Sequence, residues 1–183
     1  MMATKRSTDV RMSYLNTVIG GTANEDYSVS GIQRIALAPR SSIATITKST
    51  SGGSITDLTM VDTAKFYEVT FIPDTAKLGD VYTVQGTNRY MAQSLSFTIF
   101  GNDDATIAAG KKIHLGRFYS ALFQRADGKW YLLGDSMGLN CSVGTANDDG
   151  DDSNRPFTLS GKNLGHALPV TDPTVVDLIE TGS

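Results

Sequence analysis

Apolar and polar positions alternate with a period of two in several short runs, each bounded by glycine, serine or proline, and this pattern predicts a mainly β chain. The firmest run is Ser94-Leu-Ser-Phe-Thr-Ile-Phe100, where Leu95, Phe97 and Ile99 share an inward face and small hydroxyl residues the other. Gly31-Ile-Gln-Arg-Ile-Ala-Leu-Ala-Pro39 reads as a strand stopped by proline, with Ile35 and Leu37 on one face. Ile43–Thr47 and Ile55–Met60, joined by the turn-forming Ser49–Ser54, predict a hairpin. In Phe66–Ile72 the set Tyr67, Val69 and Phe71 is the expected core face, with Phe66, Glu68, Thr70 and Ile72 opposite.

From Pro73 to Tyr90 the pattern weakens, and a long glycine-punctuated connection is expected, with a short strand at Val81–Val84. A helix is predicted over 103–114. Asn102 suits its cap, Asp103 and Asp104 the positive end of its dipole, and Lys111 and Lys112 the negative end, while Gly110 weakens it by roughly 1 kcal/mol against alanine. Tyr119–Arg125 and Lys129–Leu133 flank Ala126-Asp127-Gly128, a strong hairpin signal. Gly138–Val143, Phe157–Gly161 and Ala167–Val170 are further strands, and Gly144–Arg155 reads as an acidic loop. The first thirty residues are polar and weakly patterned, so they read as an arm, followed by a β domain over 31–170 and a tail over 171–183. In that tail Val175, Val176, Leu178 and Ile179 are placed to dock on a sheet or a neighbour.

Composition narrows the function classes. The 183 residues suffice for one domain with a sizeable core. A net charge of −3 supplies no basic field for gripping phosphates, which argues against stable nucleic-acid binding. Cys141 is the single cysteine and is expected to be a buried thiol, outside any intramolecular disulfide. No apolar run approaches the ~18 residues of a membrane span, and Met12–Gly21 is a poor secretory signal.

Candidate chemistry is sparse. His114 and His166 stand in no catalytic motif, and His114 falls where a helix dipole accounts for it. The acidic run 148–154 offers oxygen ligands, but its spacing fails the EF-hand pattern, and a solvated turn is the expected reading. Gly52-Gly53 lacks a following Walker lysine. Trp130 and Tyr131 would serve a carbohydrate-binding module if they formed a stacking platform, though burial in a sheet is the commoner fate of such residues. The chain is therefore read as a non-enzyme without cofactor or metal.

The order of these elements resembles a family of tail-tube and neck-ring proteins of tailed bacteriophages, including those infecting Bacteroidetes and the crAss-like group. The resemblance is carried by Gly31–Ala38, Lys65–Phe71, Asp74-Thr75 with Asn88-Arg89-Tyr90, Gln93–Thr98, Arg125–Gly134, Gly138-Leu139, Gly150-Asp151 and Phe157–Gly161, about three quarters of the chain. Arg155-Pro156-Phe157 replaces a Gly-aromatic step frequent in relatives, and the first thirty residues extend beyond a minimal tube subunit.

The resemblance implies a tail-tube-like β-sandwich or barrel with one flanking helix and an extended arm and loops. It also implies a closed ring of roughly six or twelve copies that joins neighbouring tail or neck proteins in the virion. Such a ring lines a channel through which DNA passes without specific binding, and nothing inserts into a membrane. Capsid decoration, or a head fibre, is the alternative. Expected subunit contacts are Arg11, Tyr14 and Tyr27 in the arm; Asp74, Lys77, Asp80, Tyr82, Asn88, Arg89 and Tyr90 in the connection; and Asp149, Asp151, Asp152 and Arg155 in the acidic loop.

Overall fold

A computed structural model of the chain describes residues 31–181 apart from 73, 102, 103, 145, 146, 150 and 151, with side chains between 143 and 153 also outside it. The arm, with Arg11, Tyr14 and Tyr27, and also Asn102 and Asp151, lie outside the described residues. Among the described residues thirteen strands follow in chain order. They are β1 (Ile32–Pro39), β2 (Ile43–Lys48), β3 (Ile55–Met60), β4 (Phe66–Val69), β5 (Lys77–Gln85), β6 (Asn88–Phe100), β7 (Tyr119–Arg125), β8 (Trp130–Leu133), β9 (Asn140–Gly144), β10 (Asn147–Asp149), β11 (Asp152–Asn163), β12 (Leu168–Val170) and β13 (Ile179–Glu180). One described helix, α1 (Asp104–Leu115), interrupts them, and short 3-10 turns cover Arg40–Ser42 and Pro173–Leu178. The fold is mainly β with one flanking helix.

The larger sheet has eight strands in the order β13-β4-β1-β7-β8-β12-β3-β2. Connection lengths show that it is rolled. In a flat sheet β1 and β2 would stand about 24 Å apart at ~4.8 Å per strand, yet only Arg40–Ser42 joins them. Three residues span at most about 14 Å, so the strands must curl toward one another. All eight accordingly feed one core: Ala36, Ala38, Ile43, Ile55, Leu58, Phe66, Leu122, Trp130, Leu132, Val170 and Ile179, with Val175 from the last 3-10 turn. Small Ala36 and Ala38 leave room inside for Phe66 and Trp130.

The second sheet, β10-β11-β6-β5 with β9 on the other side of β11, packs on the outer wall of this barrel. Odd-numbered residues of β1, β7 and β8 (Ile35, Leu37, Ala121, Phe123 and Leu133) meet Leu95, Phe97, Ile99, Phe157 and Leu159, while Ile113 of α1 joins from the side. Strands β1, β7 and β8 are thus covered on both faces, which explains their nearly continuous apolar runs. Phe97 and Phe157 stack with centroids 5.8 Å apart, and buried Gly110 brings α1 so close that a Cβ there would stand 3.2 Å from Phe157 Cζ.

Several expectations need correction. The Phe66–Ile72 strand stops at Val69, with Phe66 sealed in the barrel and Tyr67 exposed. Beyond it the chain leaves the sheet to cap β6, where Ile72 N donates to Thr98 O at 2.8 Å and Thr98 N to Thr75 Oγ1 at 3.2 Å. The 73–90 connection is largely strand, because β5 and the start of β6 form a long hairpin. The acidic loop is also a hairpin, with Asp149 paired to Asp152 across β10 and β11. Pro156 lies inside β11 opposite Thr98, at the interval where neither β9 nor β10 pairs with β11 and no amide donor is required. Cys141 is half-exposed, on β9 beside α1.

The segment after Asp172 is part of the barrel. Val175 and Ile179 are buried, Val176 is exposed, and β13 runs parallel to β4 with Ile179 opposite Phe66.

Candidate functional site

The β5–β6 hairpin gathers most of the expected contact residues. Gly86 at φ +64 opens a two-residue loop between Gln85 and Asn88, the geometry of a tight hairpin with glycine at its first position. At its base Leu78 packs into the sandwich core. Asp80 then clamps the hairpin to the segment before β12: Oδ2 accepts from Ala167 N at 2.8 Å and lies 3.2 Å from His166 Nδ1, while Oδ1 is buried with no hydrogen-bond partner. Gln93, opposite Asp80 in the ladder, donates to Gly165 O at 2.9 Å and accepts from Gly134 N at 3.1 Å.

Past that clamp the hairpin overhangs the core. Val81 is 60% exposed, and Tyr82 and Val84 are likewise open to solvent. Tyr90 lies beneath Lys162, whose Nζ is 4.6 Å from the ring centroid. Lys77, Asn88 and Arg89 are exposed along the same hairpin. Among the described residues no strand pairs with the second side of β5, so its nine-residue edge is open. The solvent face of this sheet carries hydroxyls from Ser94, Ser96, Thr98, Thr158 and Ser160, with Ser96 Oγ 3.1 Å from Thr158 Oγ1.

The remaining candidates lie apart. Asp74 is exposed at φ +65, near the far end of β4. Arg155 Nε donates to Gly101 O at 3.3 Å, tying β11 to the end of β6. His114 Nδ1 stands 4.0 Å from Cys141 Sγ. Burial, and secondarily Cys141, pushes the neighbouring Tyr119 hydroxyl above its ordinary range, and that hydroxyl donates to Lys112 O at 2.6 Å. Among the described residues no three His, Cys, Asp or Glu side chains converge as metal ligands. Trp130 is only 6% exposed and Tyr131 stacks on Phe123 at 5.4 Å, so they do not form an open sugar platform. Arg125 further covers Tyr131, its guanidinium carbon 4.5 Å from the ring centroid.

Exposed Leu115, Phe118 and Met137 were not anticipated. Leu115 is the last residue of α1 and Phe118 and Met137 fall in connections, where no periodicity marks a side as inward or outward. No protein-family model, curated protein or solved structure matches the chain.

Proposed function

We propose that this chain is a structural subunit that assembles with copies of itself, as a ring of a phage tail tube or neck whose channel passes DNA. The open β5 edge carries this reading. A long edge strand with exposed Val81, Tyr82 and Val84 is a template for strand addition that a solitary protein ordinarily blunts with charge, proline or a bulge. Lateral pairing would cover it, and rotational symmetry would close such contacts into a ring.

The hydroxyl-rich face of the same sheet suits a channel wall. Serine and threonine are wetted without holding phosphate by charge, and the net charge of −3 opposes adhesion of DNA. Negative-stain electron microscopy of the purified chain at rising concentration tests the assignment. Rings with a central opening are expected, whereas compact monomers at every concentration would count against it.

A further inference from the structure

We infer that the end of the molecule bearing Phe118 docks on an anionic membrane surface, an apolar tip entering the headgroup layer with basic side chains beside it. A single copy displays this patch, so the inference goes beyond the self-assembly reading and does not depend on it. The contact is peripheral, for among the described residues no helix is long and apolar enough to cross a membrane.

Phe118 holds a conformation that bulky side chains rarely adopt, φ +55, yet its ring is 54% exposed. Its surroundings enforce that state. Phe118 N donates to Asn140 Oδ1 at 3.1 Å, and its carbonyl accepts from Arg40 N at 2.6 Å. Gly138, itself at φ +73, lies so close that a Cβ there would stand 2.8 Å from Phe118 Cα. Strain kept by such over-determination points to use of the displayed side chain.

Three more apolar side chains are brought to that display. Leu115 ends α1 three residues before Phe118, and Met137 adjoins Gly138. Leu164 is drawn to the same place by hydrogen bonds: Asn163 Oδ1 accepts from Met137 N at 2.9 Å and from Ser136 Oγ at 3.0 Å, and Ser136 Oγ accepts from Leu164 N at 3.1 Å. All four are more than half exposed, and a cluster of that kind marks an interaction site.

Charge selects the partner. Between Asp104 and Asp127 the chain has no acidic residue, whereas Lys111, Lys112 and Arg117 stand exposed close in sequence to Leu115 and Phe118. None of the three has an ion-pair partner among the described residues. Lys111 shares a helix face with Leu115 four residues on. The helix dipole accounts for Lys112 in the last turn, but not for Arg117 beyond its end. Asp135, next to Ser136, is neutralised by Lys48, Nζ to Oδ2 2.8 Å. The acidic hairpin at Asp149 and Asp152 sits at the opposite end of β11 from Asn163, roughly 36 Å away at ~3.3 Å per residue. Apolar tips beside unpaired cations match a negative lipid surface, which attracts each Lys or Arg while aromatic and aliphatic side chains enter the interface. A nucleic acid would use the cations but leave Leu115, Met137 and Leu164 without a dry partner.

Flotation of the full chain with vesicles tests this, at concentrations where sedimentation velocity shows one species. Vesicles of phosphatidylcholine and phosphatidylserine, at roughly three parts to one, should carry the protein up the gradient, and pure phosphatidylcholine vesicles should not. Phe118→Asn removes the ring at a φ that asparagine tolerates, so circular dichroism and thermal stability should match or exceed the parent's while vesicle affinity falls about tenfold or more. Arg117→Glu should lower it by a similar factor. Absence of binding to the mixed vesicles, or binding undiminished in both variants, would overturn the proposal. So would binding lost only in Arg117→Glu, which would leave charge attraction without an inserted tip. Retention of a short DNA duplex in place of vesicles would reassign the cations to nucleic acid. Loss of rings in Phe118→Asn, with no vesicle binding by the parent, would assign the patch to a second copy.

Discussion

Asp172 binds two parts of the barrel at once: its Oδ2 accepts the Leu58 amide of β3 at 3.3 Å, and its Oδ1 takes both the amide and the hydroxyl of Thr174, at 2.9 and 2.7 Å. The carboxylate thereby caps the 3-10 turn over Pro173–Leu178 and ties it to the strand beneath. Hydrogen bonds from Thr174, then that from Leu58, outweigh burial and hold its pKa below the ordinary aspartate value. A depressed folded-state pKa gives stability that is complete above the unfolded value, near 4, and is lost as pH falls through the folded value. Asp172→Asn should therefore be destabilising by roughly 1–2 kcal/mol at neutral pH. Urea titrations at pH 7 and pH 3 should show the difference from the parent shrinking in acid.

Arg34 reaches Glu68 through two nitrogens, at 2.6 and 3.1 Å, and its guanidinium carbon lies 5.2 Å from the Trp130 ring centroid. The hydrogen bond to Glu68 raises its pKa against the opposing effect of burial. Lysine keeps the charge but loses the planar fork and the stack. Arg34→Lys should cost about 1 kcal/mol in chemical denaturation, and an unchanged midpoint would show that the fork contributes nothing.

Trp130 tests the barrel interior. Its removal empties a site closed by Leu122, Leu132 and small alanines, so Trp130→Ala should cost about 3–5 kcal/mol and lower the melting temperature sharply. A surface role for the indole would leave thermal stability nearly intact.

Val81 lies on the open edge and contributes to neither buried core. Val81→Lys should change the stability of the fold by less than about 0.5 kcal/mol while blocking the proposed lateral association, since lysine is a common guard of edge strands. Analytical ultracentrifugation that found assembly unaltered would remove β5 from the interface.

The strands with a dry side were readable from sequence because alternation records burial. Leu95, Phe97 and Ile99 point inward as their spacing implies, and Ala126-Asp127-Gly128 turns the β7–β8 hairpin. Where both sides of a strand are wet, the signal vanishes: β5 past Asp80 was legible only as a connection with a short strand. Where both are dry it loses its sense of direction, and the rolling of the larger sheet became visible only once strand order and loop length were known together. Tyr67 is the instructive failure. Its parity places it with Val69, but the strand is only four residues long, and Phe66 on the opposite side fills the barrel. Asp74, Lys77 and the hairpin residues were named as contacts from weak patterning, and nothing in the local sequence distinguishes Phe118, whose display depends on Arg40, Gly138 and Asn140 converging from elsewhere.

The parallel pairing of β13 with β4 has a consequence in time. During vectorial synthesis β4 leaves the ribosome long before Ile179, its eventual neighbour, and at ~5–20 residues per second the interval is on the order of ten seconds. For that period β4 lacks the strand that will shield it, and the nascent barrel keeps a slot along Phe66. The nascent chain therefore carries a built-in delay. The surfaces set by the finished barrel mature only once Ile179 has emerged and paired beside Phe66.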